Sequence, residues 1–346
     1  MSILLALVIP AAQAACPTSM PDAAFKNCVS NELTGLYDAV VSSVETASAL
    51  QVQVDAQAAY IDALEAYLSV DTATNSVLFS GANVYVQSGE GATDASVNGL
   101  GNLIIGHDED DGGDDKSGSH NLVVGIEHSY TSFGGILGGE NNAIGSDYAS
   151  VIGGKQNEAT ADHAVVIAGQ FNIAAGNKSV VVSGYSNDTT GTRSAIIGGK
   201  YNAATGGSGV VVSGDGNTAS GDNTAVLGGG GNNASGNISA VGGGRSVVAS
   251  GVQSWAAGGY GNDASGFRAT AVGGYNNEAG DPGDADNGTD TAVSGLYTTV
   301  TGGEDSLASG NYALIAGGDT NTAEGEWSTI LGGEAQTTSS DHESAY

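Results

Sequence analysis

Basic residues are scarce in this chain, and their scarcity excludes two classes of partner. The 346 residues include 8 Lys and Arg against 38 Asp and Glu, a formal net charge of −30 at pH 7. Nucleic acid and anionic membrane surfaces both attract clustered Lys and Arg. The sequence therefore predicts neither nucleic-acid binding nor attraction to an anionic membrane.

Proline, cysteine and aromatic residues are also few. The chain has 4 Pro, 2 Cys and 6% aromatic residues, whereas Gly accounts for 57 positions. Collagen is excluded, because it needs abundant Pro and a Gly at every third position. Charged residues make up 13% of the chain, about half of the usual quarter. This composition argues against an ordinary globular enzyme, and we expect no enzymatic activity.

The N-terminus has the features of an export signal. Residues 1–14 contain an apolar run, Ile3–Ile9, that is too short to span a bilayer, and a small-x-small cleavage site, Ala12-Gln13-Ala14. We therefore expect cleavage after Ala14 and a secreted or cell-surface location. No later stretch is long and apolar enough to predict a transmembrane helix, so we expect the mature chain to lack a membrane-spanning segment.

The two cysteines, Cys16 and Cys28, lie just after the predicted cleavage site. In an exported chain they most simply close one disulfide loop, here residues 15–32. Two alternatives remain open at this point: pairing between subunits, and lipidation of Cys16.

A seven-residue pattern of apolar positions extends over residues 33–69. One row recurs every seven residues, and Leu36, Leu50 and Leu64 lie three residues after alternate members of it. The row consists of Leu33, Val40, Ala47, Val54, Ile61 and Leu68. This heptad pattern predicts an α-helical coiled coil with partner helices. The alternative is an amphipathic helix that packs on its own domain.

Residues 70–133 form a transitional region with β character. Asn75–Gly89 alternates in the manner of two short strands, and 103–106 and 122–125 are divergent copies of the repeat that follows.

A 15-residue repeat occupies residues 134–335 and is the main signal in the sequence. Its glycines recur without exception from Gly139 to Gly274, the rhythm breaks near 281–290, and it resumes at Gly303, Gly318 and Gly333. Residues 336–346 form a tail. A fixed period of this size predicts a stacked solenoid, and 15 residues suit two short strands and two tight turns. The predicted fold class is therefore mainly β, a parallel β-roll or β-helix solenoid preceded by a coiled coil.

Two kinds of row follow the repeat and predict its packing. An asparagine row suits hydrogen bonding from coil to coil, although turn preference alone could also explain it. Its members include Asn157, Asn172, Asn187, Asn202 and Asn217. An apolar row contains Val151, Val166, Val181, Ile196, Val211 and Val226.

A second apolar row, from Ile152 and Ile167 onward, adjoins the first. Neighbouring strand residues point to opposite faces, so one row fills the coil and the other needs a cover. The second strand instead alternates small inward and polar outward residues. This asymmetry predicts lateral association through the Val/Ile face, and Val181→Asp is expected to break it. A single chain covered by another protein is the alternative.

The repeat resembles the head repeats of YadA-like trimeric autotransporter adhesins, whose pattern is S-x-A-x-G-x-x-A-x-A-x-G. Ala164–Gly184 and Ser194–Gly206 carry the resemblance. It implies a left-handed parallel β-roll in a homotrimer and an adhesive role toward a cell-surface or matrix target. The period of 15 instead of about 14 departs from the family pattern, as does a coiled coil that precedes the repeats. The repeats run almost to Tyr346, so we expect no C-terminal membrane anchor.

Two acidic segments share the spacing D-x-D-x-G-x-D. The first contains Asp108, Asp110 and Asp114, and the second contains Asp284, Asp286 and Asp290. Carboxylates spaced around a Gly turn can converge on Ca²⁺, so these residues are candidate metal ligands. The alternative is a pair of solvated acidic insertions. The sequence predicts no catalytic residues and no cofactor other than this Ca²⁺.

These observations favour a secreted or surface-exposed structural and adhesive fibre protein, built as a trimeric β-roll head. The alternative is a solenoid that presents a binding site for a small target such as Ca²⁺ or a glycan.

Overall fold

The computed structural model describes residues 16–17, 19–281 and 295–346. The predicted signal peptide and the second acidic segment, with Asp284, Asp286 and Asp290, lie outside the described residues. The chain divides into two compact units, one up to Tyr85 and the other from Val86 to Tyr346.

The described part of the N-terminal unit includes a disulfide, a helix and a hairpin. Cys16 and Cys28 form the disulfide, with their Cα atoms 5.9 Å apart. Helix α1 (Asp22–Glu65) has 44 residues, none of them buried. It is followed by β1 (Leu68–Asp71) and β2 (Ser76–Phe79), which pair antiparallel. The last residue of the predicted heptad row, Leu68, thus lies in a strand.

The turn of this hairpin is held by side-chain hydrogen bonds. Asp71 Oδ1 accepts the N–H of Ala73 at 2.8 Å, and Thr74 Oγ1 donates to Asp71 Oδ2 at 2.8 Å. Asp and Thr side chains commonly compete with helix in this way, because they satisfy nearby backbone groups in a turn.

The second unit is a parallel β-solenoid, whose described residues form two sheets of 16 and 14 strands. The first sheet consists of β3 (Leu103–Ile105), β4 (Leu122–Ile126), β6 (Ile136–Glu140), β8 (Ser150–Val151), β10 (Val165–Val166), β12 (Val180–Val181), β14 (Ala195–Ile196), β16 (Val210–Val211), β18 (Ala225–Val226), β20 (Ala240–Val241), β22 (Trp255–Ala257), β24 (Thr270–Val272), β26 (Thr299–Val300), β28 (Leu314–Ile315), β30 (Thr329–Ile330) and β32 (Ser344–Ala345). The second sheet consists of β5 (Ser129–Tyr130), β7 (Ala143–Ile144), β9 (Glu158–Ala159), β11 (Ile173–Ala174), β13 (Asp188–Thr189), β15 (Ala203–Ala204), β17 (Thr218–Ala219), β19 (Asn233–Ala234), β21 (Val248–Ala249), β23 (Asp263–Ala264), β25 (Glu278–Ala279), β27 (Leu307–Ala308), β29 (Thr322–Ala323) and β31 (Thr337–Thr338).

The register of the ladders equals the sequence period. Val166 pairs with Val181, and Val181 pairs with Ile196, so each residue lies beside the one 15 positions later. Thr270 pairs with Thr299. The ladder thus continues in register on both sides of the segment where the sequence rhythm breaks.

The core is a narrow column between the two sheets. The first sheet contributes the Val/Ile row of Val151 and Val181, and the second contributes an alanine row that includes Ala174 and Ala204, all fully buried. A large side chain from one sheet faces a small one from the other, which is how such a thin coil fills its interior at the density of a protein core.

The position of Val181 changes what its substitution would test. Val181 is fully buried between Val180 and Val182, which are both partly exposed, so Val181 points into the coil and its two neighbours point away from it. Val181→Asp would therefore place a charge inside the coil itself. The row of Ile152, Ile167 and Ile197, which is 42–48% exposed, is the one whose substitution tests association.

Candidate functional site

The asparagine row forms a buried ladder of side-chain amides. Asn172 is fully buried. Its N–H and its Nδ2 both donate to Asn157 Oδ1 at 3.0 Å, and Nδ2 also donates to the carbonyls of Ala168 and Gly184 at 3.2 and 3.0 Å. The backbone bond to the preceding rung recurs at Asn157, Asn187, Asn202 and Asn217. Each rung therefore fastens one coil to both of its neighbours.

The glycine column follows from this ladder. At Gly199 the backbone has φ +88°, and a Cβ would lie 2.2 Å from the carbonyl oxygen of Gly214 and 2.6 Å from Asn202 Nδ2. Only glycine fits a position where the next coil's backbone approaches so closely.

His128 continues the ladder at its N-terminal end, which sequence reasoning missed. It is fully buried, and its Nδ1 accepts the N–H of Asn142 at 3.2 Å, as an Asn side chain does elsewhere. The pairing here steps by 14 residues, since Leu137 lies beside Val123 and Val151. A search at a period of 14 upstream of residue 151 would have aligned His128 with the asparagines.

The outward rows of the first sheet form an apolar surface. We define the outer apolar face as the two outward rows between Ser150 and Val272; it contains no charged residue. Its members are Ser150, Val165, Val180, Ala195, Val210, Ala225, Ala240, Trp255 and Thr270 in one row, and Ile152, Ile167, Val182, Ile197, Val212, Leu227, Gly242, Ala257 and Val272 in the other. Leu227 is 50% exposed. An uncharged parallel sheet face with large aliphatic side chains is unusual on a protein surface, since parallel sheets are normally covered on both faces.

The outer face of the second sheet is polar by contrast. Ser250 Oγ donates to Asp263 Oδ1 and Ser265 Oγ donates to Glu278 Oε1, each at 3.1 Å. Asp263 and Glu278 lie beside each other in paired strands. Burial raises the pKa of both carboxyls, and the neighbouring Asp263 charge adds to the rise at Glu278. The two faces of the solenoid therefore differ sharply in chemistry.

A column of aromatic rings lies along one set of turns near the C-terminal end of the solenoid. The ring centroids of Tyr297 and Tyr312 are 4.9 Å apart, those of Tyr312 and Trp327 are 4.0 Å apart, and both pairs are nearly parallel. The guanidinium of Arg268 lies 5.5 Å from the centroid of the Tyr297 ring. Because the rings cover one another's faces, we attribute to them a role in stabilising the turns.

The first acidic segment divides into two groups of carboxylates. Asp108 is 6% exposed; its carboxylate accepts the N–H of His128 at 3.3 Å and the hydroxyl of Tyr130 at 3.2 Å, and Lys116 Nζ lies 3.3 Å away. Burial, together with the Asp108 charge, raises the pKa of Tyr130 to about 12. Asp108 thus serves an internal network.

Asp110 and Asp114 form the other group, together with Asp111. One carboxylate oxygen from each of the three lies within 4.8 Å of the other two. The D-x-D-x-G-x-D spacing selects Asp108, Asp110 and Asp114, so it did not point to Asp111. A count of consecutive acidic residues in Asp108–Asp111 is the signal that could have included it.

Comparison with known proteins adds no identification: no protein-family model matches the chain, and no curated protein matches it. Among the described residues, none of the helices combines the length and apolarity that a membrane crossing requires.

Proposed function

We propose that this chain is a secreted or cell-surface structural and adhesive fibre protein, not an enzyme, and that three copies associate along the outer apolar face. The observation that carries the proposal is this face itself, which is uncharged from Ser150 to Val272 while the opposite sheet carries carboxylates and hydroxyls. A surface of this kind on a free chain would promote aggregation, whereas burial against further copies of the same chain removes it from water.

Helix α1 supports association independently. Its heptad residues Val54, Ile61 and Leu64 are 44–55% exposed in the single chain. Apolar residues at this spacing are the seam that a coiled coil buries between helices. Two separate elements of one chain thus expose apolar surfaces that self-association would cover.

A stoichiometry of three follows from the resemblance of the repeats to the heads of YadA-like adhesins, in which three rolls pack around one axis. The adhesive role has the same source. The absence of dense basic clusters from the sequence fits a protein or glycoconjugate target better than a polyanion.

The mass in solution tests the association. We expect light scattering on residues 15–346 to give three times the chain mass, and a clean monomer would refute the proposal.

Since α1 could hold the chains together alone, burial of the outer apolar face needs a measurement of its own. The described cysteines are paired, so Ile197→Cys and, on the second sheet, Thr218→Cys each add one free thiol. We expect slow maleimide labelling at 197 and rapid labelling at 218; equal rates would show that the outer apolar face is open.

Adhesion is tested by binding of the purified protein to cells or extracellular matrix. We expect binding that persists when soluble glycans are added. Complete competition by a simple glycan would instead support the alternative function, a solenoid that presents a small-ligand site.

A further inference from the structure

The first acidic loop, residues 106–117 between β3 and β4, is fixed to the solenoid. Glu127 N–H donates to the Glu109 carbonyl at 3.0 Å, Tyr130 N–H donates to the Asp115 carbonyl at 2.7 Å, and Asp115 N–H donates to Ser129 Oγ at 3.1 Å. The carboxylates of this loop are therefore carried on a backbone that is anchored at several points.

Local hydrogen bonds orient two of the carboxylates in the group. Asp110 Oδ1 accepts the N–H of Gly112 at 2.7 Å, and Asp111 Oδ1 accepts the N–H of Gly113 at 3.2 Å. These bonds engage Oδ1 of each group, and both residues are exposed. Their Oδ2 atoms remain available for a ligand.

Asp114 provides the independent observation. Its side chain is only 7% exposed, and its Oδ2 is shielded from solvent without any hydrogen-bond donor. The nearest cation, Lys116, has its Nζ 3.9 Å from this oxygen, beyond hydrogen-bonding distance. That ammonium instead lies 3.3 Å from Asp108 Oδ2, and it also donates to the carbonyls of Asp108 and Glu109. A shielded carboxylate oxygen without a donor is costly, and a cation would satisfy it.

We propose that Asp110, Asp111 and Asp114 bind one Ca²⁺ ion. Three carboxylates supply only oxygen ligands, which a hard divalent cation prefers. Asp110 and Asp111 are exposed to solvent, so water molecules can complete the coordination shell. Ca²⁺ accepts six to eight oxygens in flexible geometry, whereas Mg²⁺ demands near-ideal octahedral geometry and dehydrates reluctantly. The three carboxylates are also poorly compensated by the protein, since Lys116 is the only Lys or Arg between Lys26 and Lys155.

Calorimetric titration of the full mature chain with CaCl₂ at physiological salt tests this assignment. Asp111→Asn and Asp114→Asn each remove one charge from the group, and Asp94→Asn removes one charge from an exposed site outside it. Loss of a residue that only supports a metal ligand weakens binding by about 10- to 100-fold. We therefore expect each loop variant to weaken one Ca²⁺ site by at least about tenfold, with the Asp94→Asn titration unchanged.

The other acidic segment could take up Ca²⁺ as well, so the result is the difference between each loop variant and the parent chain. Asp111 is exposed, so Asp111→Asn tests the site without a change in packing. The proposal is overturned if both loop variants titrate like the parent chain. It is equally overturned if Asp94→Asn loses as much binding as they do, because that would show diffuse attraction to a chain of charge −30. Neither outcome depends on the number of chains in the assembly.

Discussion

Replacing Asn202 by valine would remove one rung of the asparagine ladder, and the bonds of that rung set the expected cost. Asn202 Oδ1 accepts the N–H of Asn217 at 3.0 Å. Its Nδ2 donates to Asn187 Oδ1 at 3.0 Å and to the carbonyls of Gly198 and Gly214 at 3.0 and 3.1 Å. Valine fills a similar volume and offers none of these atoms.

The partners of Asn202 are not affected equally. The carbonyl of Gly214 keeps the N–H of Lys200 at 2.9 Å, and Asn187 Oδ1 keeps the backbone N–H of residue 202. The N–H of Asn217, in a fully buried residue, loses its acceptor. An orphaned buried group costs about 1–3 kcal/mol and each net hydrogen bond about 1 kcal/mol, so we expect Asn202→Val to lower the free energy of unfolding by about 3 kcal/mol.

Val247 allows the opposite substitution, in which an asparagine is added to the ladder. This residue occupies a ladder position and is fully buried, and its N–H donates to Asn232 Oδ1 at 2.9 Å. Valine offers no acceptor to the N–H of the next rung, Asn262. The side chain lies against Gly244 just as the Asn side chains lie against their glycines. We expect Val247→Asn to add about 1 kcal/mol of stability, the net worth of a typical hydrogen bond.

Urea denaturation followed by circular dichroism measures the global effect, and amide hydrogen exchange measures the local one. In a solenoid each coil contacts only its neighbours, so exchange should quicken at Asn217 in Asn202→Val and slow at Asn262 in Val247→Asn. If both variants unfold at the parent's urea concentration with unchanged exchange, the side-chain ladder contributes nothing, and turn preference alone explains the asparagines.

Three further predictions follow from other parts of the structure. Gly199→Ala should lower the free energy of unfolding by several kcal/mol or prevent folding, because its Cβ would meet the Gly214 carbonyl. Gly216 also has a positive φ but has open space around it, so Gly216→Ala should cost about 1–2 kcal/mol in the same denaturation assay. Equal costs for the two variants would contradict the close approach at Gly199. Burial raises the pKa of Asp263, so its contribution to stability is fully present below the unfolded pKa and is lost as pH rises through the folded pKa. Asp263→Asn should therefore raise the melting temperature at about pH 7 and have little effect below about pH 3, and a variant that melts lower than the parent at neutral pH would refute this. The Cys16–Cys28 bond lies within one chain, so non-reducing denaturing electrophoresis should show single chains; a disulfide-linked dimer would indicate pairing between subunits.

The sequence period predicted the solenoid because every coil repeats the same turn chemistry. A glycine with positive φ and a buried asparagine both leave a mark at fixed spacing, and Gly184 and Asn187 are typical of the whole array. The outward direction of the apolar rows was harder to predict. Val180, Val181 and Val182 are all apolar, so hydrophobicity alone cannot tell which of them points into the coil.

The acidic loop shows another limit of sequence patterns. Spacing placed Asp108 among the metal ligands, whereas its carboxylate lies with Lys116, Tyr130 and the N–H of His128. Those contacts come from the acidic loop, from the link between β4 and β5, and from β5, and the sequence separates Asp108 from Tyr130 by 22 residues. The shielding of Asp114 likewise depends on the folded backbone and leaves no trace in residue spacing.

Because the ladder is in register, the length of the solenoid is set by its number of coils. Each coil bonds only to the coils before and after it, through the same pair of strands and, at most positions, through a rung of asparagine. Duplication or loss of one 15-residue block in the gene would therefore change the solenoid by a single step of about 4.8 Å and leave every remaining contact intact. The length of the solenoid is thus set by the copy number of a short DNA segment, so evolution can lengthen or shorten it without changing the chemistry of its surface.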